Sequence, residues 1–148
     1  MNGLKVVAGL ALVAAASQAR AAPATSPQAA VQVVQDYYAA LNRGDYRAAY
    51  SAWGQDGAAS GQTFAKFRAG FLKTATVRVV TQPAVNADAG MSQRTIDVPV
   101  DVYATLKSGK TQHFRGTYTL HRVAPGVGAP ASQLSWHLAS AKLMPVAH

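Results

Sequence analysis

The stretch RTIDVPVDVYATL, residues 94–106, decides the fold class, because its side chains alternate between apolar and polar. Apolar residues occupy every second position from Ile96 to Leu106, and Asp97 and Asp101 fall between them. A period of two is typical of a strand with one buried face and one exposed face. The stretch therefore predicts a long strand of an antiparallel sheet that is covered on its apolar side.

The same period extends along the chain in both directions. Residues 111–123 and about 133–143 alternate in the same way, and Val77 and Val79 alternate with a polar residue before the first stretch. Ser108-Gly109 predicts the hairpin turn between two of these strands. Two segments rich in Pro and Gly, residues 82–90 and 124–131, are predicted to be loops.

The residues before position 74 have helical spacing instead. Ser26-Pro27 predicts a helix start, and Gly44 predicts the end of that helix. Asp45 and Thr63 are placed to cap two further short helices. Three helices followed by four consecutive strands predict an α+β fold, with the helices on one face of an antiparallel sheet of four or more strands.

The segment YYAALNRGDYRAAY, residues 37–50, resembles the opening of nuclear-transport-factor-2-like (NTF2-like) domains, the group that includes ketosteroid isomerase and scytalone dehydratase. In that group an aromatic-rich first helix ends at a Gly-Asp step and a short second helix follows. The resemblance covers nearly all of the chain after residue 21 and is greatest to exported bacterial members. It implies a cone in which a curved sheet wraps against three helices and leaves a pocket open at one end. The group includes isomerases, dehydratases, binding proteins and assembly proteins, so the fold does not choose the function.

The first 21 residues have the features of a cleavable signal peptide. Lys5 precedes an apolar run at residues 6–16, which is too short to span a bilayer, and Ala19-Arg20-Ala21 forms an A-x-A cleavage site. We therefore expect residues 1–21 to be a signal peptide, 22–26 a flexible leader and 27–148 a single domain in the periplasm or outside the cell. An uncleaved N-terminal anchor is the alternative.

Composition excludes several classes of protein. The chain has no cysteine, which excludes a lipoprotein, disulfides and Cys-ligated metal sites. Its formal charge is +8, and the loss of Lys5 and Arg20 with the signal peptide would leave +6. This charge permits attraction to anionic surfaces, but the basic residues are too dispersed to predict nucleic-acid binding.

The alternation also predicts where the titratable side chains point. Asp97, Asp101 and the three histidines of the predicted strands fall on the polar, outer face, so no catalytic residue and no cofactor is predicted. Pro99 leaves one alternative open, because a bulge at that proline would turn Asp101 and Tyr103 inward. An inward Asp101 would suit a lyase or isomerase of the ketosteroid-isomerase type.

The predicted pocket lining is aromatic, which would suit a small apolar ligand or a segment of a partner protein. The alternative is that these side chains only form the core. The predicted pocket residues are Tyr37, Tyr50, Trp53, Phe67, Tyr118 and Trp136.

The outer face of the sheet is predicted to be a homodimer interface, with a solvated face as the alternative. Its predicted residues are Arg94, Asp97, Tyr103, His113, Arg115 and Thr117. No metal site is predicted there, because His113 and His121 are about 26 Å apart at the rise of a strand.

Three hypotheses on function follow. The first is an exported, non-catalytic binding or assembly domain with an aromatic pocket. The second is a lyase or isomerase that uses Asp101, and the third is a basic protein that associates with anionic surfaces.

Overall fold

The computed structural model describes residues 23–147. The predicted signal peptide, residues 1–21, lies outside them. The predicted leader begins the described chain as a turn, in which the backbone N–H of Ser26 donates to the carbonyl of Pro23 at 2.9 Å. The longest helix in the described part has 16 residues, and no helix there has the length and apolarity to cross a membrane.

Three helices begin at the predicted caps. The Ser26 hydroxyl accepts from the backbone N–H of Ala29 at 3.0 Å, and Asp45 and Thr63 cap the next two helices in the same way. Gly44 has a φ of +76° and ends the first helix. The helices are α1 (Pro27–Asn42), α2 (Tyr46–Ser51) and α3 (Phe64–Ala69).

Five antiparallel strands follow, so the protein is α+β with its helices on one curved sheet. The strands pair in the order β1-β3-β4-β5, and β2 pairs with β3 beside β1. They are β1 (Thr74–Thr81), β2 (Val85–Gly90), β3 (Gln93–Leu106), β4 (Thr111–Val123) and β5 (His137–Pro145).

Strand β2 corrects the prediction of a loop at residues 82–90. All six of its residues are exposed, so it has none of the alternating burial that would mark it in the sequence. Its pairing with β3 shifts between Val85 and Asp88, where Asn86 has a φ of +57°. Strand β5 also begins later than predicted, because residues 131–133 form a 3₁₀ turn. Trp136 therefore lies just before the last strand.

Strand β3 contains no bulge at Pro99. Its register with β4 is continuous from Gln93 to Thr105. The Pro99 carbonyl accepts from the N–H of Gln82 at 2.9 Å. Because the N and O of a residue in an antiparallel strand face the same neighbour, the Pro99 nitrogen points to the place where β1 ends and β2 begins. The proline therefore interrupts no ladder, and Asp101 and Tyr103 stay on the outer face.

The core lies between the helices and the inner face of the sheet. Val98 and Val100 on β3, Leu120 on β4 and Leu138 on β5 are at most 2% exposed, and Val34 of α1 packs in the same cluster. Burial of such side chains contributes about 1.5–3 kcal/mol each to folding. The inward apolar face predicted from the alternation is confirmed for β3.

Candidate functional site

Five of the six predicted pocket residues lie in one aromatic cluster at the centre of the core. The ring centroid of Tyr37 is 6.2 Å from that of Trp53, 6.3 Å from Phe67 and 6.1 Å from Tyr118. Tyr50 joins the cluster at 5.3 Å from Phe67. All five side chains are buried between α1, α2, α3 and the sheet. Their rings pack edge to face or tilted, as aromatic pairs in a core prefer.

Tyr38 is a member of this cluster that the sequence reasoning missed. Its hydroxyl lies 2.6 Å from the hydroxyl of Tyr118 on β4. A signal was available, because Val34, Tyr37, Tyr38 and Leu41 have the spacing i, i+3, i+4, i+7 of one helical face. Tyr38 thus connects α1 to the sheet through a buried hydrogen bond.

Burial keeps the hydroxyls of this cluster protonated. It raises the pKa of Tyr38 to about 12, partly opposed by the hydrogen bond to Tyr118. It also raises the pKa of Tyr37 and of Tyr118 well above the ordinary value. The nearby indole N–H of Trp53 partly opposes the increase in the pKa of Tyr37. This N–H is buried and does not reach hydrogen-bond geometry with any acceptor in the described chain. Such groups are poorly suited to move protons near neutral pH.

The sixth predicted pocket residue, Trp136, lies apart from the other rings, at the end of the sheet beside the start of α1. Its indole N–H donates to the carbonyl of Ser26 at 3.0 Å, which fixes the ring against the first turn of the helix. Trp136 contributes to the lining of two clefts, although only 6% of the residue is exposed. One of about 430 Å³ lies along α1, beside Ala29 and Val33. The other, of about 210 Å³, lies against the sheet beside Ile96.

The cleft against the sheet contains two arginines. Arg94 of β3 and Arg122 of β4 stand directly opposite each other, both at the parity of the inward residues. The guanidinium carbon of Arg122 lies 5.0 Å from the centroid of the Trp136 ring. The assignment of Arg94 to the outer dimer face was wrong. Arg94 is two residues before the buried Ile96 and shares its face, whatever its charge.

The other five residues of the predicted dimer face lie on the outer side of the sheet, where most of them form a polar network. His113 Nε2 lies 2.7 Å from Asp101 Oδ1, and Arg115 Nε lies 2.9 Å from the same oxygen. The bonds from His113 and Arg115 lower the pKa of Asp101. Tyr103 stacks on His113 with centroids 4.3 Å apart, and Asp97 accepts from Thr119 at 2.7 Å. Thr117 lies opposite Pro99.

This network overturns the alternative in which Asp101 turns inward. Its carboxylate is bound by the His113 ring and the Arg115 guanidinium on the outer face, on the opposite side of the sheet from Tyr118. The lyase or isomerase hypothesis therefore loses the base that it required.

A polar cleft of about 310 Å³ lies at the far edge of the outer face. His121 of β4 and His137 of β5 are directly opposite each other there, and Gln55 and Asp56 border them with positive φ values. His121 bonds to Gln93, and His137 Nδ1 donates to the carbonyl of Ser135 at 3.0 Å. In residues 23–147, no three His or Asp side chains are grouped as metal ligands.

The chain is similar to several solved structures. One is a candidate aromatic ring hydroxylase from Novosphingobium aromaticivorans, with a TM-score of 0.58 and 13% identity over 85% of this chain and 96% of that one. Another is the Kfla4162 protein from Kribbella flavida, with a TM-score of 0.56 and 16% identity over 83% and 93%. A third is a candidate dehydratase of the NTF2-like family from Streptomyces avermitilis, at 0.49 and 15% over 82% and 99%.

The likenesses to the first two structures, together with three helices on a curved five-stranded sheet, show the α+β fold that the sequence predicted. At such identities they establish the fold alone. No family model matches the chain, and no curated protein matches it. An α+β fold of this kind with an aromatic core is compatible with a ligand-binding domain.

Proposed function

We propose that this chain is an exported, non-catalytic binding domain that holds a small apolar molecule against Trp136 and works as a homodimer. The observation that carries the proposal is that Trp136 lines two separate clefts at the end of the sheet. The larger has the volume of a typical small-molecule site, about 300–1,000 Å³. It combines apolar walls from Ala29 and Val33 with polar groups such as Gln32, as such sites do.

The directions of the acid–base groups support the non-catalytic part of the proposal. Asp97, Asp101 and His113 face away from the core, and the hydroxyls of Tyr38 and Tyr118 inside it have raised pKa values. General acid–base catalysis near neutral pH needs a group whose pKa is close to neutral and that reaches the ligand. In this proposal the central aromatic cluster is structural: it belongs to the same continuous core as Trp136 and helps to hold that side chain in place.

A fluorescence titration tests the ligand site. The two tryptophans of the chain are Trp53 and Trp136, so the variant Trp53→Phe leaves the indole of Trp136 as the reporter. We expect the neutral probe 2-naphthylmethanol to change this emission, and Trp136→Ala to weaken binding, measured by calorimetry, at least about tenfold. Met144→Gln is the matched control, because Met144 is 69% exposed on the outer face. Equal affinities for the probe in the wild type, Trp136→Ala and Met144→Gln would contradict a ligand site at Trp136.

The homodimer of the proposal uses the outer face of the sheet. The support is the ordered network of Asp101, His113 and Tyr103, which holds long side chains in fixed positions on a face that no helix of the described chain covers. Thr117→Arg, in the middle of that face, should give a monomer by native mass spectrometry. Ala39→Arg, on the exposed side of α1, should not. A wild-type protein that is a monomer at micromolar concentration would exclude the homodimer.

Export is tested separately from binding. The signal peptide predicts that protein recovered from the periplasm or the medium begins at Ala22. An intact mass that still contains residues 1–21 would point to an uncleaved anchor instead.

A second candidate function, association with anionic surfaces, is favoured by the clustering of cations at one end of the sheet. The backbone N–H of Lys107 donates to the carbonyl of Lys73 at 2.8 Å. Lys110 lies in the turn between β3 and β4, where its carbonyl accepts from the N–H of Leu106 at 2.8 Å. Leu72 beside them is 45% exposed. Binding to phosphatidylglycerol vesicles that is lost in 0.5 M salt, and in Lys73→Glu/Lys107→Glu, would support this function. Equal binding to phosphatidylcholine would exclude it.

A further inference from the structure

The inner face of the sheet carries two like charges in direct opposition. Arg94 and Arg122 are register partners in the antiparallel pair of β3 and β4. The Cβ atoms of such partners are about 4.5–5.5 Å apart, and like charges in this position destabilise a sheet. Both residues are half-buried, so solvent screens them less than it would on an open surface.

Arg122 has hydrogen-bonding capacity that the described chain does not use. Its Nε is buried and has no hydrogen-bond partner. Its guanidinium carbon lies 5.0 Å from the centroid of the Trp136 ring, and both residues line the same cleft. Arg94 donates one N–H to the carbonyl of Gln93 at 3.0 Å and keeps its other donors. A buried N–H without a partner is costly, and it is a common mark of a site completed by a ligand.

No acidic side chain of the described residues forms an ion pair with Arg94 or Arg122. The ion pairs there join Arg43 to Asp45, and His113 and Arg115 to Asp101. Asp88 also lines the cleft, but its carboxylate accepts from the backbone N–H of Ala89 at 2.8 Å.

We propose that the ligand of this site carries a carboxylate, which binds between Arg94 and Arg122 while its apolar body lies against Trp136 and Ile96. The inference rests on the proposed function, because it specifies the ligand class for the smaller of the two clefts that Trp136 lines, the cleft of about 210 Å³. Arginine suits this task, since its planar fork matches a carboxylate with two parallel hydrogen bonds. A carboxylate placed there would also relieve the repulsion between the two guanidinium groups.

The test compares two probes that differ at one group. 2-Naphthoate and 2-naphthylmethanol share the naphthalene body, but only the first is an anion at pH 7. We expect calorimetry to show that the protein binds the naphthoate at least about tenfold more tightly. We also expect the preference to shrink in 0.5 M sodium chloride, because the charge interaction is screened.

Substitutions assign the preference to residues. Arg94→Gln and Arg122→Gln should each weaken naphthoate binding at least about tenfold and change binding of the alcohol less than about twofold. Arg94→Lys keeps the charge without the fork and should fall between the wild type and Arg94→Gln. Arg68→Gln, at an exposed position of α3, is the matched control and should bind both probes as the wild type does. Circular dichroism checks that each variant is folded. The salt dependence of naphthoate binding is measured on the wild type, so it tests the charge interaction even where a variant fails to fold.

The outcomes separate this inference from the proposed function. Equal affinity for the two probes, with both still weakened by Trp136→Ala, would overturn the carboxylate and leave the apolar site intact. A preference for naphthoate that survives both arginine substitutions would also overturn it. Binding of neither probe would overturn the proposed function and this inference together.

Discussion

The hydroxyl groups of Tyr38 and Tyr118, 80 positions apart in the chain, meet at 2.6 Å inside the core. One belongs to the first helix and the other to the fourth strand. The two rings also form a T-shaped pair, with their centroids 6.1 Å apart. The two residues therefore join the helical layer to the sheet by a polar contact where the surroundings are aromatic. Since both are buried, loss of either hydroxyl leaves the other without a partner.

The variant Tyr118→Phe should lower the free energy of unfolding by about 1–3 kcal/mol, because the Tyr38 hydroxyl then stays buried and unpaired. The double variant Tyr38→Phe/Tyr118→Phe should lose less than the sum of the two single losses. Urea unfolding followed by circular dichroism measures both quantities. Additive losses would show that the hydroxyls do not interact.

Tyr37, Tyr38 and Tyr118 should resist ionisation in the folded protein. Burial raises the pKa of Tyr38 to about 12 and raises the pKa of Tyr37 and of Tyr118 well above the ordinary value of 10. These groups favour folding below pH 10, and that contribution is lost as the pH rises through the raised values. Absorbance at 295 nm should show that Tyr37, Tyr38 and Tyr118 stay protonated until the protein unfolds. A single transition near pH 10 with the fold intact would contradict this account.

Gly116 should tolerate no side chain. A Cβ at this position would lie 1.8 Å from the carbonyl oxygen of Lys142, because β4 and β5 approach closely there. We expect Gly116→Ala to destabilise the protein by about 1–3 kcal/mol, as overpacking does. Gly90→Ala is the matched control, since a Cβ there meets nothing within 4 Å. Equal melting temperatures for the two variants would be the contrary result.

Asp101 should make stability depend on pH in the acid range. Hydrogen bonds from His113 and Arg115 lower its pKa in the folded state. The carboxylate therefore stabilises the fold above about pH 4, its ordinary value when unfolded, and this contribution is lost as the pH falls through the lowered value. Thermal unfolding should show Asp101→Asn less stable than the wild type at pH 7, with the difference shrinking as the pH falls below about 4. The control variant Asp56→Asn should differ less from the wild type in thermal stability at pH 7. An effect of Asp101→Asn that does not change with pH would count against the bonds from His113 and Arg115 to Asp101.

The helix boundaries and the inward face of β3 could be predicted because they depend on local chemistry. Ser26, Asp45 and Thr63 cap helices through bonds to N–H groups three residues away, so sequence spacing alone is enough. Strand β2 could not be found in this way, since all its residues are exposed and only its pairing with β3 makes it a strand.

The candidate site was only partly predictable, because it depends on how distant segments meet. Trp136 could be named from its type, but its clefts exist only because the segment before β5 packs on the start of α1. Arg94 could have been placed correctly from its parity with Ile96, but its charge argued for an exposed face. Periodicity was the better guide there, since a long arginine can lie on a buried face with its head at the edge.

Native mass spectrometry of the untagged protein recovered from the periplasm, beside the Trp136→Ala variant, is the decisive test of a ligand site at Trp136. We expect the wild type to carry a small apolar molecule, or to take up one equivalent of 2-naphthylmethanol for each chain, and the variant to do neither. A wild-type protein that arrives empty and takes up no probe, or a variant that keeps the ligand, would contradict a binding site at Trp136.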